Sequence, residues 1–121
     1  MDVERIDFVA VPSQDKERSI AFYRDTLGLR QDEHRALEFW AGDTCLNIWE
    51  PAAYGDEFAP QTTAHLAFRV PDVAAARAEL EAKGIEFDGE TLDTGVCHMA
   101  NFSDPDGNAL MLHRRYAPYE S

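Results

Sequence analysis

The chain has 121 residues, of which 11 are basic and 23 acidic, and its formal net charge is −12. This length predicts one domain with its own core, and a field this negative disfavours nucleic acid and anionic membranes as partners. No apolar run approaches the roughly 18 residues that a membrane span needs, and the acidic start MDVERIDF is unlike a signal peptide, so a cytoplasmic protein is expected.

The first half of the chain has the pattern of a strand, a helix and three further strands. RIDFVAVPSQDKERSIAFYRDTLGL predicts a strand and a turn, then a helix that ends at Gly28, where glycine tolerates the left-handed conformation. Ile20, Tyr23 and Leu27 recur on one face of this helix. The helix is expected at about 15–27 and the three strands at about 29–33, 36–41 and 44–50. This first module spans about residues 4–50, and the linker 51–63 follows it.

The second half repeats the same order of elements. TAHLAFRVPDVAAARAELEAKGI predicts a strand and then a helix that ends at Gly84, with Val73, Ala76 and Leu80 on one face. SDPDGN predicts a turn before the last strand. The helix is expected at about 72–83 and the three strands at about 85–92, 96–103 and 109–115. The second module therefore spans about residues 64–115, in a single α+β domain over residues 1–121.

Alternation along the strongest strands separates two sets of side chains. The first set is aliphatic or Phe, which suits a face covered by helices: Val9, Val11, Leu46, Ile48, Leu66, Phe68, Val70, Leu110 and Leu112. The second set mixes aromatic, small and polar residues: Phe8, Ala10, Cys45, Asn47, Trp49, His65, Ala67, Arg69, Met111 and His113. An apolar lining with a few polar groups is typical of a small-molecule site, so a pocket is expected. A protein interface or a polar face left to solvent is the alternative.

The two cysteines, Cys45 and Cys97, both lie in strand-like stretches. Their number and spacing fit neither a secreted disulfide framework nor a paired-cysteine zinc site. Two reduced, partly buried thiols are expected, and a single disulfide is the alternative.

Three motifs resemble the vicinal-oxygen-chelate superfamily: SIAFYRDTLGL, HLAFRVPDVAAARAELEAKGI and SDPDGNALML. That superfamily includes glyoxalase I, fosfomycin-resistance enzymes, extradiol dioxygenases and bleomycin-resistance proteins, and the resemblance covers about residues 4–115. It implies two βαβββ modules that form a cup-shaped mixed β-sheet with helices on the outer face, usually in a homodimer.

The resemblance also implies where metal-using relatives take their ligands, and here those positions are Phe8, Asn47, His65 and Met111. Such relatives typically have His or Gln at the first position, His at the third and Glu at the fourth. Phe8 cannot ligate, and the Met111 thioether is a poor partner for hard or borderline cations. No metal and no other cofactor is therefore expected. The alternative is a three-histidine metal site of His65, His98 and His113.

The predicted function is metal-free binding of a planar or aromatic small molecule, similar to bleomycin-resistance-type members and with a role in antibiotic resistance. Phe8 and Trp49 would stack on the ligand, and Met111 would adapt to its shape. The expected polar anchors are Asn47, His65, Arg69 and His113. The alternative is a lyase, isomerase or dioxygenase, either metal-dependent or with a histidine as general base. A third hypothesis is an interaction module whose pocket is filled by its own side chains.

Overall fold

A computed structural model describes residues 1–119 of the chain as two compact units. The first unit contains Met1–Gln61 together with Pro105–Asn108, and the second contains Thr62–Asp104 and the residues from Ala109 onward. Each unit has one four-stranded sheet, and the hydrogen-bonded ladder of one sheet does not continue into the other. In the described part of the chain, no helix is both long and apolar enough to cross a membrane.

Sheet 1, in the first unit, has the strand order β1-β4-β3-β2. Its strands are β1 (Phe8–Pro12), β2 (Arg30–Gln31), β3 (Glu38–Ala41) and β4 (Thr44–Trp49). β1 and β4 run parallel, whereas β3 is antiparallel to both of its neighbours. Between β1 and β2 lie the helix α1 (Lys16–Ala21) and a π-helical turn (Phe22–Thr26), and a 3-10 turn (Pro51–Tyr54) follows β4.

Sheet 2, in the second unit, repeats this arrangement with the order β5-β8-β7-β6. Its strands are β5 (Leu66–Arg69), β6 (Asp88–Asp93), β7 (Cys97–Ser103) and β8 (Ala109–Arg115). The helix α2 (Val73–Ala82) connects β5 to β6 and is capped by Asp72, whose carboxylate accepts a hydrogen bond from the Ala75 amide at 3.1 Å. The predicted α+β fold of two βαβββ modules is confirmed.

The first helix differs from its predicted form, because only its first half is α-helical. Asp15 caps α1 by accepting a hydrogen bond from the Arg18 amide at 3.2 Å. The Leu27 amide then bonds to the Phe22 carbonyl, five residues back, at 2.9 Å. This wider turn reduces the angle between successive side chains, and the neighbouring rings of Phe22 and Tyr23 are both buried, edge to face at 5.1 Å.

Several strands are shorter or start later than predicted, and local hydrogen bonds explain the differences at β2 and β6. β2 stops at Gln31 because the Asp32 carboxylate accepts from the amides of His34 and Arg35, which turns the chain. β6 starts at Asp88 rather than 85, since the Ile85 amide still bonds to the Leu80 carbonyl at the end of α2. Residues 83–87 therefore belong to the end of α2 and to the loop that connects it to β6.

Burial confirms the predicted alternation for five of the nine residues assigned to the helix-covered faces, whereas Val9, Leu66, Phe68 and Val70 are only partly buried. Cys45, which was assigned to the opposite set, is buried as well. The side chains of Val11, Leu46 and Ile48 are at most 2% exposed, and those of Leu110 and Leu112 are at most 4% exposed. The most deeply buried aromatic residues of the third strand in each module, Phe39 and Phe102, share these faces and are 0% exposed. Helix side chains cover the same faces, since Tyr23 packs on Phe39 at 6.3 Å between ring centroids.

The turn predicted from SDPDGN forms a network of polar contacts within the first unit. The buried carboxylate of Asp106 accepts hydrogen bonds from the Gln14 amide, Arg18 Nη2 and Ser19 Oγ, each at 3.0 Å. We call these contacts the Asp106 network. Gly107 follows with φ +90°, a conformation that favours glycine.

Asn108, next in the chain, is 0% exposed and uses both ends of its amide. Its Nδ2 donates to the Pro12 carbonyl at 2.8 Å, and its Oδ1 accepts from the Gln61 amide at 3.1 Å. The tetrapeptide Pro105–Asn108 thus joins β1, the start of α1 and the end of the linker.

Candidate functional site

The face of sheet 1 opposite Leu46 and Ile48 carries the candidate residues of the first unit. We call it the open face of sheet 1. The strand register places its members in rows: Phe8, Cys45, Trp40 and Arg30; then Ala10, Asn47 and Glu38; then Pro12 and Trp49. The structure therefore brings Phe8, Asn47 and Trp49 onto one face, as the alternation predicted. Phe8 is 55% exposed, which is high for an aromatic side chain on a strand.

Trp40 and Arg30 belong to this face, although the sequence analysis did not select them. The Arg30 guanidinium carbon lies 5.8 Å from the centroid of the Trp40 ring, within range of a cation–π contact. An open cleft of about 610 Å³ adjoins the pair. It is lined by Arg5, Ile6, Arg30, Trp40, Gly42, Asp43 and Thr44. Alternation along β3 puts Glu38 and Trp40 on one side, but only the register with β4 shows which side that is.

Glu38 adds a carboxylate to the open face of sheet 1, where the sequence analysis had selected none. It pairs directly with Asn47 in the register, and its carboxylate lies 3.7 Å from Arg35 Nε. A second open cleft, of about 460 Å³, is lined in part by Glu38 and Asn47. Its lining consists of Lys16, Glu17, Ile20, Arg35, Ala36, Leu37, Glu38 and Asn47.

The donor set of these faces does not fit a metal centre. Glu38 and Asn47 offer oxygen atoms that suit hard cations, but they are only two donors, and Arg35 Nε lies 3.7 Å from the Glu38 carboxylate. Phe8 has no donor atom, and Met111 offers only a soft thioether. Within residues 1–119, no three His, Cys, Asp or Glu side chains lie close enough together to hold a metal ion.

The two cysteines are free and buried, which confirms the prediction of reduced thiols. Cys45 lies in β4 and Cys97 in β7. Burial raises the pKa of the Cys45 thiol, and the carboxylates of Glu38 and Asp32 raise it further. Such a thiol stays protonated at neutral pH and is a poor nucleophile, so we assign it no catalytic role.

The equivalent face of sheet 2 carries the candidate residues of the second unit. We call it the open face of sheet 2. Its rows are Ala67, Met111, Asn101 and Asp88; then Arg69, His113, Met99 and Leu92; then Arg115 and Cys97. Arg69, Met111 and His113 therefore share one face, as predicted. His65 is exposed and lies just before β5, outside the strand.

The three-histidine metal site is wrong, because His98 lies on the opposite face of sheet 2. It pairs with Arg114, whose side chain alternates away from His113. There His98 Nε2 lies 3.3 Å from Asp93 Oδ2, and its ring is 4.8 Å from that of Tyr116. The Gly95 amide and the Tyr116 hydroxyl both donate to Asp93 and hold its pKa below the ordinary value.

Two buried polar atoms of the open face of sheet 2, Asn101 Oδ1 and Arg115 Nε, have no hydrogen-bond partner among residues 1–119. Other contacts hold Arg115, because its Nη2 donates to the Pro118 carbonyl at 3.2 Å and its guanidinium carbon lies 4.2 Å from the Tyr119 ring centroid. Since buried polar groups are nearly always paired in folded proteins, this face has unused hydrogen-bonding capacity.

Asp32, which orients Trp40, leads to a prediction about pH. Hydrogen bonds from the His34 amide at 2.9 Å and from Trp40 Nε1 at 3.1 Å hold the pKa of Asp32 below its ordinary value. A carboxyl group with a lowered folded-state pKa stabilises the fold at neutral pH, and this stabilisation is lost as the pH falls through that pKa. Asp32→Asn is therefore expected to lower the urea midpoint equally at about pH 7 and pH 5, with the gap closing below about pH 4. Urea unfolding followed by tryptophan fluorescence measures this, and a gap that persists undiminished at about pH 3 would contradict the assignment.

Comparison with known proteins identifies the family. Residues 5–112 match the family model of the Glyoxalase/Bleomycin resistance protein/Dioxygenase superfamily. The uncharacterized protein YaeR of Escherichia coli (strain K12) is 30% identical over 128 residues, which cover 95% of this chain and 99% of that protein.

Solved structures show the same architecture along almost the whole chain. A protein from Bacillus anthracis assigned to the glyoxalase family is 25% identical with a TM-score of 0.79, over 95% of this chain and 98% of that one. TnmS3, an antibiotic-binding protein from Streptomyces sp. CB03234, is 28% identical with a TM-score of 0.75, over the same shares of the two chains. The chain therefore belongs to the Glyoxalase/Bleomycin resistance protein/Dioxygenase superfamily.

Proposed function

We propose that this protein binds a planar organic molecule by stacking, without a metal ion. The observation that carries the proposal is the aromatic content of the open face of sheet 1. Phe8 is 55% exposed there, and Trp40 and Trp49 lie on the same face. Exposed aromatic surface gains free energy when a flat apolar partner covers it, by about 0.5–1.5 kcal/mol per ring pair beyond the area effect.

Four positions carry the metal ligands in metal-using relatives, and the residues at these positions here support binding without a metal ion. Only His65 retains a typical ligand, while Phe8 and Met111 replace groups that would bind a cation and balance its charge. The carboxylate that the structure adds, Glu38, lies 3.7 Å from the Nε atom of Arg35. These features favour binding over the lyase, isomerase or dioxygenase alternative.

The similarity to TnmS3 supports the same proposal, because that relative is an antibiotic-binding protein. Binding a flat organic molecule without transforming it would suit a role in antibiotic resistance. That role, the homodimer and the cytoplasmic location stay predictions from the sequence.

A titration with the neutral planar probe 2-naphthamide tests the proposal. Binding is expected by calorimetry at micromolar to millimolar concentrations, with quenching of tryptophan fluorescence. Phe8→Ala and Trp49→Leu are each expected to weaken binding about 2- to 12-fold, which corresponds to the loss of one stacked ring. Tyr116→Ala is the matched control, since Tyr116 is also about half exposed, at 48%, but contacts His98 on the other face of sheet 2.

Two outcomes would overturn the proposal. One is the absence of binding by 2-naphthamide, or binding that Phe8→Ala and Trp49→Leu leave unchanged. The other is stoichiometric zinc, iron, manganese or nickel in protein purified without chelator, together with probe affinity that falls when the metal is removed. Unchanged affinity after chelation would support metal-free binding.

A further inference from the structure

The cleft beside Trp40 brings two arginines and an aromatic ring together, all within the first unit. Arg30 in β2 pairs directly with Trp40 in β3, and Arg5 comes from the segment before β1. The volume of the cleft is about 610 Å³. Small-molecule sites usually measure roughly 300–1,000 Å³, so the cleft is large enough for one.

The Trp40 ring is held by Asp32, and it in turn contacts Arg30. Trp40 Nε1 donates to the Asp32 carboxylate at 3.1 Å, and the Arg30 guanidinium carbon lies 5.8 Å from the ring centroid. A guanidinium group that packs on a ring uses its flat face, so the N–H groups along its edge stay available. Within residues 1–119, Arg30 forms no ion pair that would occupy these N–H groups.

The charges that line this cleft are mostly positive. Asp43 is the acidic residue of the lining, against the two basic residues Arg5 and Arg30. The ion pair of Arg5 with Asp7 is 3.6 Å long, and its side chains are 77% and 82% exposed, so it exchanges readily with other partners. By contrast, the cleft beside Asn47 is lined by two basic and two acidic residues. In a chain with a net charge of −12, the cleft beside Trp40 is therefore suited to an anionic group.

We propose that the planar ligand carries a carboxylate, and that Arg30 binds this group with Arg5 as a second cation. This inference rests on the proposed function and deepens it, because it names an acidic aromatic molecule as the ligand class. Trp40 and Arg30 are neighbours in one row of the open face of sheet 1, with Cβ atoms about 5 Å apart. One flat molecule can therefore stack on this face and reach the guanidinium, which binds a carboxylate through two parallel hydrogen bonds.

Comparison of 2-naphthoate with 2-naphthamide by calorimetry tests the inference, because the two probes share a ring system and differ in charge. The naphthoate is expected to bind about 2- to 5-fold more tightly, which is the range for a solvent-exposed ion pair. Added salt is expected to reduce this preference. Without a local cationic site, the net charge of −12 would instead disfavour the anion.

Two substitutions in the cleft are expected to have opposite effects on naphthoate. Arg30→Gln is expected to abolish the preference for naphthoate and to leave the affinity for naphthamide nearly unchanged. Asp43→Asn removes the carboxylate of the lining and is expected to raise the naphthoate affinity up to about twofold, since it removes a like charge. Asparagine suits a turn as well as aspartate does, so the turn between β3 and β4 is expected to be retained.

Arg24→Gln is the matched control for Arg30→Gln. It removes one positive charge from the same unit, and the Arg24 side chain is 47% exposed but lies outside the lining of the cleft. Both affinities are expected to stay as in the wild type. Thermal unfolding of each variant verifies that the substitution leaves the fold intact.

The outcomes separate this inference from the proposed function. If naphthamide binds and naphthoate binds equally or more weakly, the carboxylate site is wrong while the stacking site stands. A preference for naphthoate that persists in Arg30→Gln, or that Arg24→Gln lowers equally, would also overturn the assignment. Binding of naphthoate alone, lost in Arg30→Gln, would support the carboxylate site and overturn the stacking of neutral rings. Binding of neither probe would overturn both proposals.

Discussion

Asp106→Ala is expected to lower the free energy of unfolding by about 3 kcal/mol, because hydrogen bonds to a charged group contribute about 1.5–3 kcal/mol each and are not additive. The Asp106 side chain is 0% exposed, and it accepts from Gln14, Arg18 and Ser19 at 3.0 Å. Removal leaves the Ser19 hydroxyl and the Gln14 amide without this acceptor, whereas Arg18 is 47% exposed and can turn to water. Urea unfolding at neutral pH measures the change.

Asp25→Ala is the control for this substitution. It also removes an aspartate that is paired with an arginine, here Arg24 at 2.9 Å, but both side chains are about half exposed. A surface ion pair contributes about 0–1 kcal/mol, so the control is expected to unfold within that range of the wild type. Equal effects of Asp106→Ala and Asp25→Ala would show that the Asp106 network does not stabilise the first unit.

Phe39→Ala and Phe102→Ala are each expected to lower the free energy of unfolding by about 3–5 kcal/mol, the usual range when a large aromatic side chain is deleted from a core. Both are 0% exposed, and they occupy the third strand of their modules. Their neighbours are aromatic as well, since Phe39 packs on Tyr23 and Phe102 packs on Phe87 at 5.0 Å. Urea midpoints of the two variants compare the cores of the two units directly.

Phe8→Ala provides the contrast, because the same side chain is deleted from the open face of sheet 1. Phe8 is 55% exposed, so the variant is expected to lose less than about 1 kcal/mol of stability. The two substitutions should therefore have different effects. Phe8→Ala is expected to lower the affinity for 2-naphthamide, and Phe39→Ala is expected to lower the free energy of unfolding. A cost for Phe8→Ala as large as that for Phe39→Ala would contradict the assignment of faces.

Much of the fold could be predicted because side-chain alternation and helix ends are local properties. The last strand, Ala109–Arg115, has its predicted bounds, and α2 begins and ends within one residue of its predicted range. The π-helical turn after α1 could not be predicted in the same way. It depends on Phe22 and Tyr23 being buried together, which is a tertiary effect that overrides local helix geometry.

Candidate residues could be predicted where alternation along their own strand shows which face they lie on. They were missed where the face depends on the register with a neighbouring strand. Phe8, Asn47 and Trp49 follow from alternation along β1 and β4 with their parallel pairing. Glu38 and Trp40 needed the antiparallel register of β3 against β4, which the sequence does not specify. In sheet 2, the antiparallel register of β7 against β8 places His98 against Arg114, where the sequence left the direction of His98 open.

The polar contacts of Pro105–Asn108 have a consequence for how the chain acquires its structure during synthesis. Asn108 bonds to the Pro12 carbonyl across 96 positions, and Asp106 bonds to the Gln14 amide across 92. Closing such long loops costs more entropy than closing the short ones inside each hairpin, so these contacts form late. Until residues 105–108 have been synthesised, the Pro12 carbonyl of β1 therefore lacks its donor, Asn108 Nδ2. The start of α1 likewise lacks the Asp106 carboxylate, which accepts from Arg18 and Ser19.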